Sequence, residues 1–289
     1  MIAVADILAR VETLPTLPTS VARLASLLGD ERAGAADFEA VIRPDPALTA
    51  NLLRLANSAA FGCRREIASV GQAVALLGLK RVFEAAAGVA FARVLPPSLP
   101  GYGVNAAAFW RHSIAVAVIA ERLAIEVEGR APGLCFTAGL LHDIGKLAIS
   151  SFLLEESARL KARLGEGPVP FVSVEQELLG TDHAALGQTM LERWHLPAPL
   201  AEAAGRHHQP AVAAEAPAEP LVDLVHAADC LAHALGFGTD VGELRREVAP
   251  AVGQRLGLRH ARLEKVASEV LEPIGELERL LQPEAGRAG

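Results

Sequence analysis

Apolar residues recur at three- and four-residue intervals along most of the chain, and that period predicts helices almost throughout. Val21, Leu24, Ala25, Leu27 and Leu28 set out a helix after the turn-rich Leu14-Pro-Thr-Leu-Pro18, and Gly29 and Asp30 close it. Phe38, Val41 and Ile42 mark a short helix that stops before Pro44. Asp45-Pro46 reads as an N-cap followed by proline at the first helical position, and Leu48, Leu52, Leu53 and Leu55 carry that helix to about Ser58. Ser69 and Gln72 have the spacing of a capping box. Gly78 divides the helix that follows from another over about 79–94.

The second half predicts helices over about 106–127, one ending near His142, then 147–164, a short piece at Glu175–Leu179, and 182–193, 197–207 and 219–235. The tail from about 241 to 282 reads as one or two amphipathic helices. No stretch alternates as a strand would, so the fold class is all-α. Leu95-Pro-Pro-Ser-Leu-Pro-Gly-Tyr-Gly103 is the clearest linker, with three prolines and two glycines in nine residues. It divides an N-terminal helical lobe over 1–95 from a second lobe over 104–238, with an extension over 239–289. The two helices around Gly78 have the outline of a helix-turn-helix. With no basic face beside them, they read as ordinary bundle packing.

Composition agrees with helices. Of 289 residues, 51% are hydrophobic and only 4% aromatic, so Ala and Leu supply most of the core. A net charge of −7 argues against nonspecific nucleic-acid binding, and Arg64-Arg65 reads as a solvated loop. Cys63, Cys135 and Cys230 form no CxxC pair and read as reduced thiols, the last two as core filler. The N-terminus has no secretory pattern. The apolar stretches at 85–95 and 114–125 are interrupted by Arg93 and by Glu121-Arg122, short of the roughly 18 apolar residues of a membrane span. A soluble, cytoplasmic protein with no membrane insertion is expected.

The candidate chemistry centres on Gly139-Leu-Leu-His-Asp-Ile-Gly-Lys146, where an imidazole, a carboxylate and an ammonium fall within one turn or so. Divalent cations take N and O ligands of this kind, and a lysine can hold a phosphate oxygen or donate a proton. Further donors follow: His112 in Trp110-Arg-His-Ser113, His183 at a helix start, the pair His207-His208, and Asp229 in an apolar helix. Each has a plainer reading: a hydrogen-bonded core histidine, a helix-dipole partner, or a carboxylate paired with Arg206 or another cation. Together they supply N and O donors for two metals with Asp143 as a bridge. A metal-free polar core stays open beside that reading.

Seven stretches carry a family resemblance: Leu14-Pro-Thr-Leu-Pro18, Asp45-Pro-Ala-Leu to Ser58, Ile67-Ala-Ser-Val-Gly-Gln to Leu79, Phe109-Trp-Arg-His-Ser113, Ala138-Gly-Leu-Leu-His-Asp-Ile-Gly-Lys146, Asp182-His-Ala-Ala-Leu-Gly187 and Glu192-Arg-Trp-His-Leu-Pro197. The order of donors resembles the HD superfamily of metal-dependent phosphohydrolases. More closely, residues 14–235 are similar to the HDOD family, the bacterial HD-related output domain. That resemblance implies an all-α fold with an HD-like lobe over 104–238, and a regulatory output in signalling that acts through a protein partner.

By position it implies one metal at His112, His142, Asp143 and Asp229, and a second at His183, His207 and His208 with Asp143 bridging. One or two ions of Fe, Mn, Mg or Zn would serve. Lys146 matches the lysine that contacts phosphate in the HD enzymes. Asp143 and Lys146 would be the catalytic pair if the chain is an enzyme acting on a nucleotide or other phosphate-containing ligand. The related HD-GYP phosphodiesterases continue after the His pair with a Glu and a Gly-Tyr-Pro loop. Here the chain reads Gln209-Pro-Ala-Val-Ala-Ala, and Ala108 stands where a further carboxylate is expected. The resemblance therefore does not extend to a third metal or to cyclic-di-GMP hydrolysis.

Overall fold

The helical period holds in a computed structural model that describes residues 4–28, 30, 32–57, 67–127, 134–167, 169–210, 220–239 and 246–281. The N-terminal part contains α1 (Val4–Thr13), α2 (Thr19–Leu28), α3 (Ala35–Ile42), α4 (Pro46–Ala56) and α5 (Val70–Val94). Asp45 caps α4 by accepting from the Leu48 N–H at 2.9 Å. At the start of α5, Ser69 Oγ accepts from the Gln72 N–H while Gln72 Oε1 accepts from the Ala68 N–H. Gly78 breaks α5 with φ of 79°, a left-handed value that costs glycine nothing, so α5 is two helices meeting at a sharp bend.

The stretch read as a linker is a folded hairpin. β1 (Ser98–Leu99) pairs antiparallel with β2 (Val104–Asn105) across a 3₁₀ turn at Pro100–Tyr102. The expected all-α class holds, and this short hairpin is the strand pairing it did not anticipate. Two-residue strands are too short to show alternation, and what makes them is the turn between.

The second half runs α6 (Ala106–Glu126), α7 (Cys135–Leu141), α8 (Lys146–Glu155), α9 (Ser157–Gly165), α10 (Phe171–Leu179), α11 (His183–Arg193), α12 (Ala198–Arg206), α13 (Pro220–Ala234), α14 (Pro250–Arg255) and α15 (His260–Leu281). The helix expected over 147–164 is broken at Glu156 into α8 and α9. The α1 helix was not expected, because Ile7 and Val11 are its only buried positions.

α6 is the axis of the molecule. Its residues Ser113–Ala117 are all buried, and α7, α13 and α15 pack around it. Phe109 and Trp110 meet Phe91 of α5 with ring centroids 6.2 and 5.7 Å apart, which ties the two halves together. α15 lies along α6 and buries Val266, Val270 and Ile274, a stripe at four-residue intervals.

Cys135 and Cys230 are buried, free thiols, and burial pushes them up to about 11 and about 12. Cys63 and Arg64-Arg65 lie outside the described residues, as does the end from 282. Among the described residues no helix is long and apolar enough to cross a membrane.

Candidate metal centre

The seven donors come from five places in the chain. His112 projects from α6, and His142 and Asp143 form the turn between α7 and α8. His183 opens α11, behind its N-cap Asp182, which accepts from the Ala185 N–H at 2.8 Å. His207 and His208 follow the last residue of α12, and Asp229 sits in α13. Gly145 sets the spacing between two of these places. A Cβ there would stand 1.9 Å from the His183 carbonyl oxygen and 2.6 Å from the Gly187 nitrogen, both backbone atoms. Only glycine lets the Asp143 turn lie this close to α11.

The structure brings all seven together, with Asp143 at the middle. Its Oδ2 is 3.5 Å from His112 Nε2 and 3.4 Å from His142 Nε2. Its Oδ1 is 3.2 Å from His183 Nε2 and 3.6 Å from His207 Nε2. Asp229 Oδ1 lies 3.4 Å from His112 Nε2 and 3.8 Å from His142 Nε2. His208 Nε2 completes the far side, 2.8 Å from His183 Nε2. Asp143, His183, His207 and His208 offer donor atoms all within 4.8 Å of one another, as do His112, His142 and Asp143. One carboxylate thus faces two imidazole groups, one through each oxygen.

Four of the imidazoles are oriented by their other nitrogen. Nδ1 of His142 donates to the Gly139 carbonyl at 2.7 Å, and Nδ1 of His207 to the Ala204 carbonyl at 2.8 Å. Nδ1 of His112 donates to the Phe237 carbonyl at 3.1 Å. A carbonyl can only accept, so Nδ1 carries the proton in each, and the Nε2 lone pair points into the centre. His183 Nδ1 is held instead by Glu175 Oε2 at 2.7 Å. Such outer partners fix the tautomer of a metal-binding histidine.

The donor set fits a divalent cation. Among the described residues no hydrogen bond of good geometry reaches His207 Nε2, Asp229 Oδ1 or either oxygen of Asp143, and all are buried. Lys146 Nζ does lie 2.8 Å from Asp143 Oδ2. Buried polar atoms left this way are costly unless something coordinates them. Burial holds His142 down at about 3 against the pull of Asp143, so its imidazole is neutral. Burial also works against charge at His183, but Glu175 and Asp143 overcome it and lift it to about 9. Burial opposes ionisation of Asp143 too, yet His142 and Lys146 hold it well below the usual carboxylate range.

Lys146 is turned inward. It is 2% exposed, and its ammonium sits on Asp143 and over the Tyr102 ring, 5.3 Å from the centroid. The cation on Asp229 is not Arg206 but Arg246, whose Nη1 contacts Oδ2. Burial works against the Asp229 charge, and Arg246 more than compensates, so the carboxyl is held below its ordinary range.

Four participants were not foreseen. Glu175 accepts from both the backbone N–H and Nδ1 of His183, and its other oxygen accepts from the Tyr102 hydroxyl at 2.6 Å. Arg246 and Tyr102 arrive from distant segments and leave no local signal. His233 could have been found: it is four residues after Asp229, hence on the same helix face, with Nε2 3.5 Å from Asp229 Oδ1.

A predominantly helical fold around a buried cluster of histidines and a central aspartate defines a class of helical proteins with a candidate metal centre. The HDOD domain model matches residues 14–210, and the chain belongs to the HDOD domain family. Three solved structures are similar to it. An HDOD domain protein of unknown function from Geobacter sulfurreducens is 25% identical, with a TM-score of 0.73, 96% of this chain and 98% of that one covered. A candidate phosphohydrolase from Shewanella amazonensis SB2B is 26% identical at the same TM-score of 0.73 and the same coverage of 96% and 98%. A candidate signal transduction protein from Marinobacter aquaeolei VT8 is 25% identical, with a TM-score of 0.71, over 94% of this chain and 59% of that one. An uncharacterized protein of Treponema pallidum is 26% identical over 205 residues, 71% of this chain. The chain spans 39% of that relative's length.

Proposed function

We propose that this chain is a cytoplasmic signalling module that acts through a protein partner, and that its His/Asp centre is a metal-holding pocket which stabilises the module's conformation rather than a site of turnover. The burial of the centre carries this reading. His112, His142, Asp143, His183, His207 and Asp229 are each at most 2% exposed. A phosphate ester needs an open metal face and a lysine free to meet it, and Lys146 is committed to Asp143. The likeness to the Marinobacter signal transduction candidate supports the same reading. The unit presented to a partner would be the N-terminal lobe over 1–95 set against the HD-like lobe over 104–238.

A second reading is a metal-dependent phosphohydrolase acting on a nucleotide or other phosphate ester. The complete donor set favours it, and so does the likeness to the Shewanella phosphohydrolase candidate. In that case His112, His142, Asp143 and Asp229 would hold one ion and Asp143, His183, His207 and His208 the other. Bound metal would supply Lewis acidity and a source of hydroxide.

Metal analysis of the purified protein, paired with a phosphatase and cyclic-dinucleotide screen in Mn²⁺ or Fe²⁺, separates the two. The signalling reading expects stoichiometric metal without turnover. Metal-dependent hydrolysis abolished by Asp143→Asn would overturn it.

A further inference from the structure

Asp229 is shared between two structures. Its Oδ1 faces His112 and His142 in the centre, while its Oδ2 is held by Arg246 at the start of the C-terminal extension. Arg246 is not alone on that side of α13. Three residues further on, the Ala249 N–H donates to His226 Nε2 at 3.0 Å, and His226 Nδ1 donates to the His207 carbonyl at 2.8 Å. Beyond that, Arg255 of α14 grips Asp223 through two bonds of 2.7 Å, and both side chains are buried. Asp223, His226 and Asp229 follow at three-residue intervals, so they line one face of α13. That face is a clamp for the chain from 246 to 255, and its last tooth is a candidate metal ligand.

Charge decides how the two uses of Asp229 interact. Of the centre's three buried carboxylates, Glu175 is held by His183 and Tyr102, while Asp143 and Asp229 are each bonded to a protein cation, Lys146 and Arg246. A divalent ion adds two positive charges within a few ångströms of a guanidinium, and burial leaves little solvent to screen the repulsion. Arg246 also draws on the same carboxylate that would have to bind the ion.

We propose that Arg246 is an internal counter-cation that competes with a divalent metal for Asp229, so that metal loading loosens the clamp holding residues 246–255 on α13. The proposal rests on the metal-holding reading above and adds a direction to it: metal and the C-terminal extension oppose one another. By linkage, the factor by which Arg246 weakens metal binding is the factor by which metal weakens the Arg246 contact.

The test uses the full chain, stripped of metal and titrated calorimetrically with Mn²⁺ and with Zn²⁺, with amide hydrogen exchange followed over 246–256. Arg246→Gln is expected to bind metal roughly tenfold more tightly than the parent, within the usual range for coupled sites. Arg246→Lys, which keeps the charge, is expected to stay near the parent. In the parent protein, added metal is expected to speed exchange over 246–256. Should Arg246→Gln fail to fold, the exchange measurement on the parent decides alone. Equal affinities in parent and Arg246→Gln, with binding lost in Asp143→Asn, overturn the competition and leave the metal centre standing. Exchange that is unchanged or slowed by bound metal also overturns it. No binding of either ion by any folded form overturns the metal centre itself, and this proposal with it.

Discussion

At the scale of the residue, the centre is built from side chains whose second contact matters as much as the first. Glu175 shows this best. It is fully buried, and it spends one oxygen on His183 and the other on Tyr102, so it holds the imidazole through Nδ1 and turns Nε2 toward Asp143. A neutral amide in its place keeps the volume but can present a donor to Nδ1 and removes the charge. Glu175→Gln is therefore expected to weaken metal binding about 10- to 100-fold, the usual cost of losing an outer partner. Calorimetric titration with Mn²⁺ checks it, and an unaltered dissociation constant would remove Glu175 from the centre's support.

At the scale of the element, close backbone approach sets the site as much as the ligands do. The turn between α7 and α8 touches the first turn of α11 through Gly145, with no room for even a methyl group against the His183 carbonyl. Gly145→Ala must push α11 away from Asp143. An overpacking cost of about 1–3 kcal/mol is expected, measured by chemical denaturation, together with weaker metal binding because His183 moves with α11. A substitution that left both unchanged would show that the turn and α11 shift freely.

That these donor residues belong together was legible in the sequence for a related reason. His142-Asp143, His183 and His207-His208 stand at helix ends, where boundary signals and donor types coincide on neighbouring residues. Glu175 and Arg246 were not legible. Each reaches its partner through tertiary contact, and nothing in local spacing separates them from the chain's many surface glutamates and arginines. The hairpin at 98–105 was hidden by its brevity, since proline and glycine mark a turn without saying that the flanks will pair.

At the scale of the molecule, the two halves meet across α5 and α6 through more than rings. Lys80, Arg81 and Glu84 of α5 and Glu121 of α6 form one network, with Lys80 Nζ 3.3 Å from Glu84 and Arg81 Nη1 2.7 Å from Glu121. Arg81, Glu84 and Glu121 border a cleft of about 770 Å³ that α15 closes on its third side. Burial first, and Glu121 second, raise Glu84 from the ordinary 4.5 to about 7 despite the two cations.

The sign follows from linkage. A carboxyl raised in the folded state keeps its proton there while the unfolded chain loses it. Its stabilising effect is complete below about pH 4.5 and is lost as pH rises to about 7. Up to about 3 kcal/mol of stability should disappear across that window. Urea denaturation from pH 4.5 to 8 is expected to give a flatter profile for Glu84→Gln than for the parent protein. Superimposable profiles would mean that the junction is indifferent to Glu84's proton.

The hairpin between the halves gives the molecule one more property. Tyr102 is the chain's single tyrosine, and its hydroxyl is bonded to the carboxylate that holds His183. Its near-ultraviolet band is therefore a label-free optical reporter wired to the centre. Changes at His183 reach it through Glu175 and changes at Asp143 through Lys146, so a difference spectrum taken during metal titration reads the inside of the pocket from a ring lodged in the hairpin between α5 and α6.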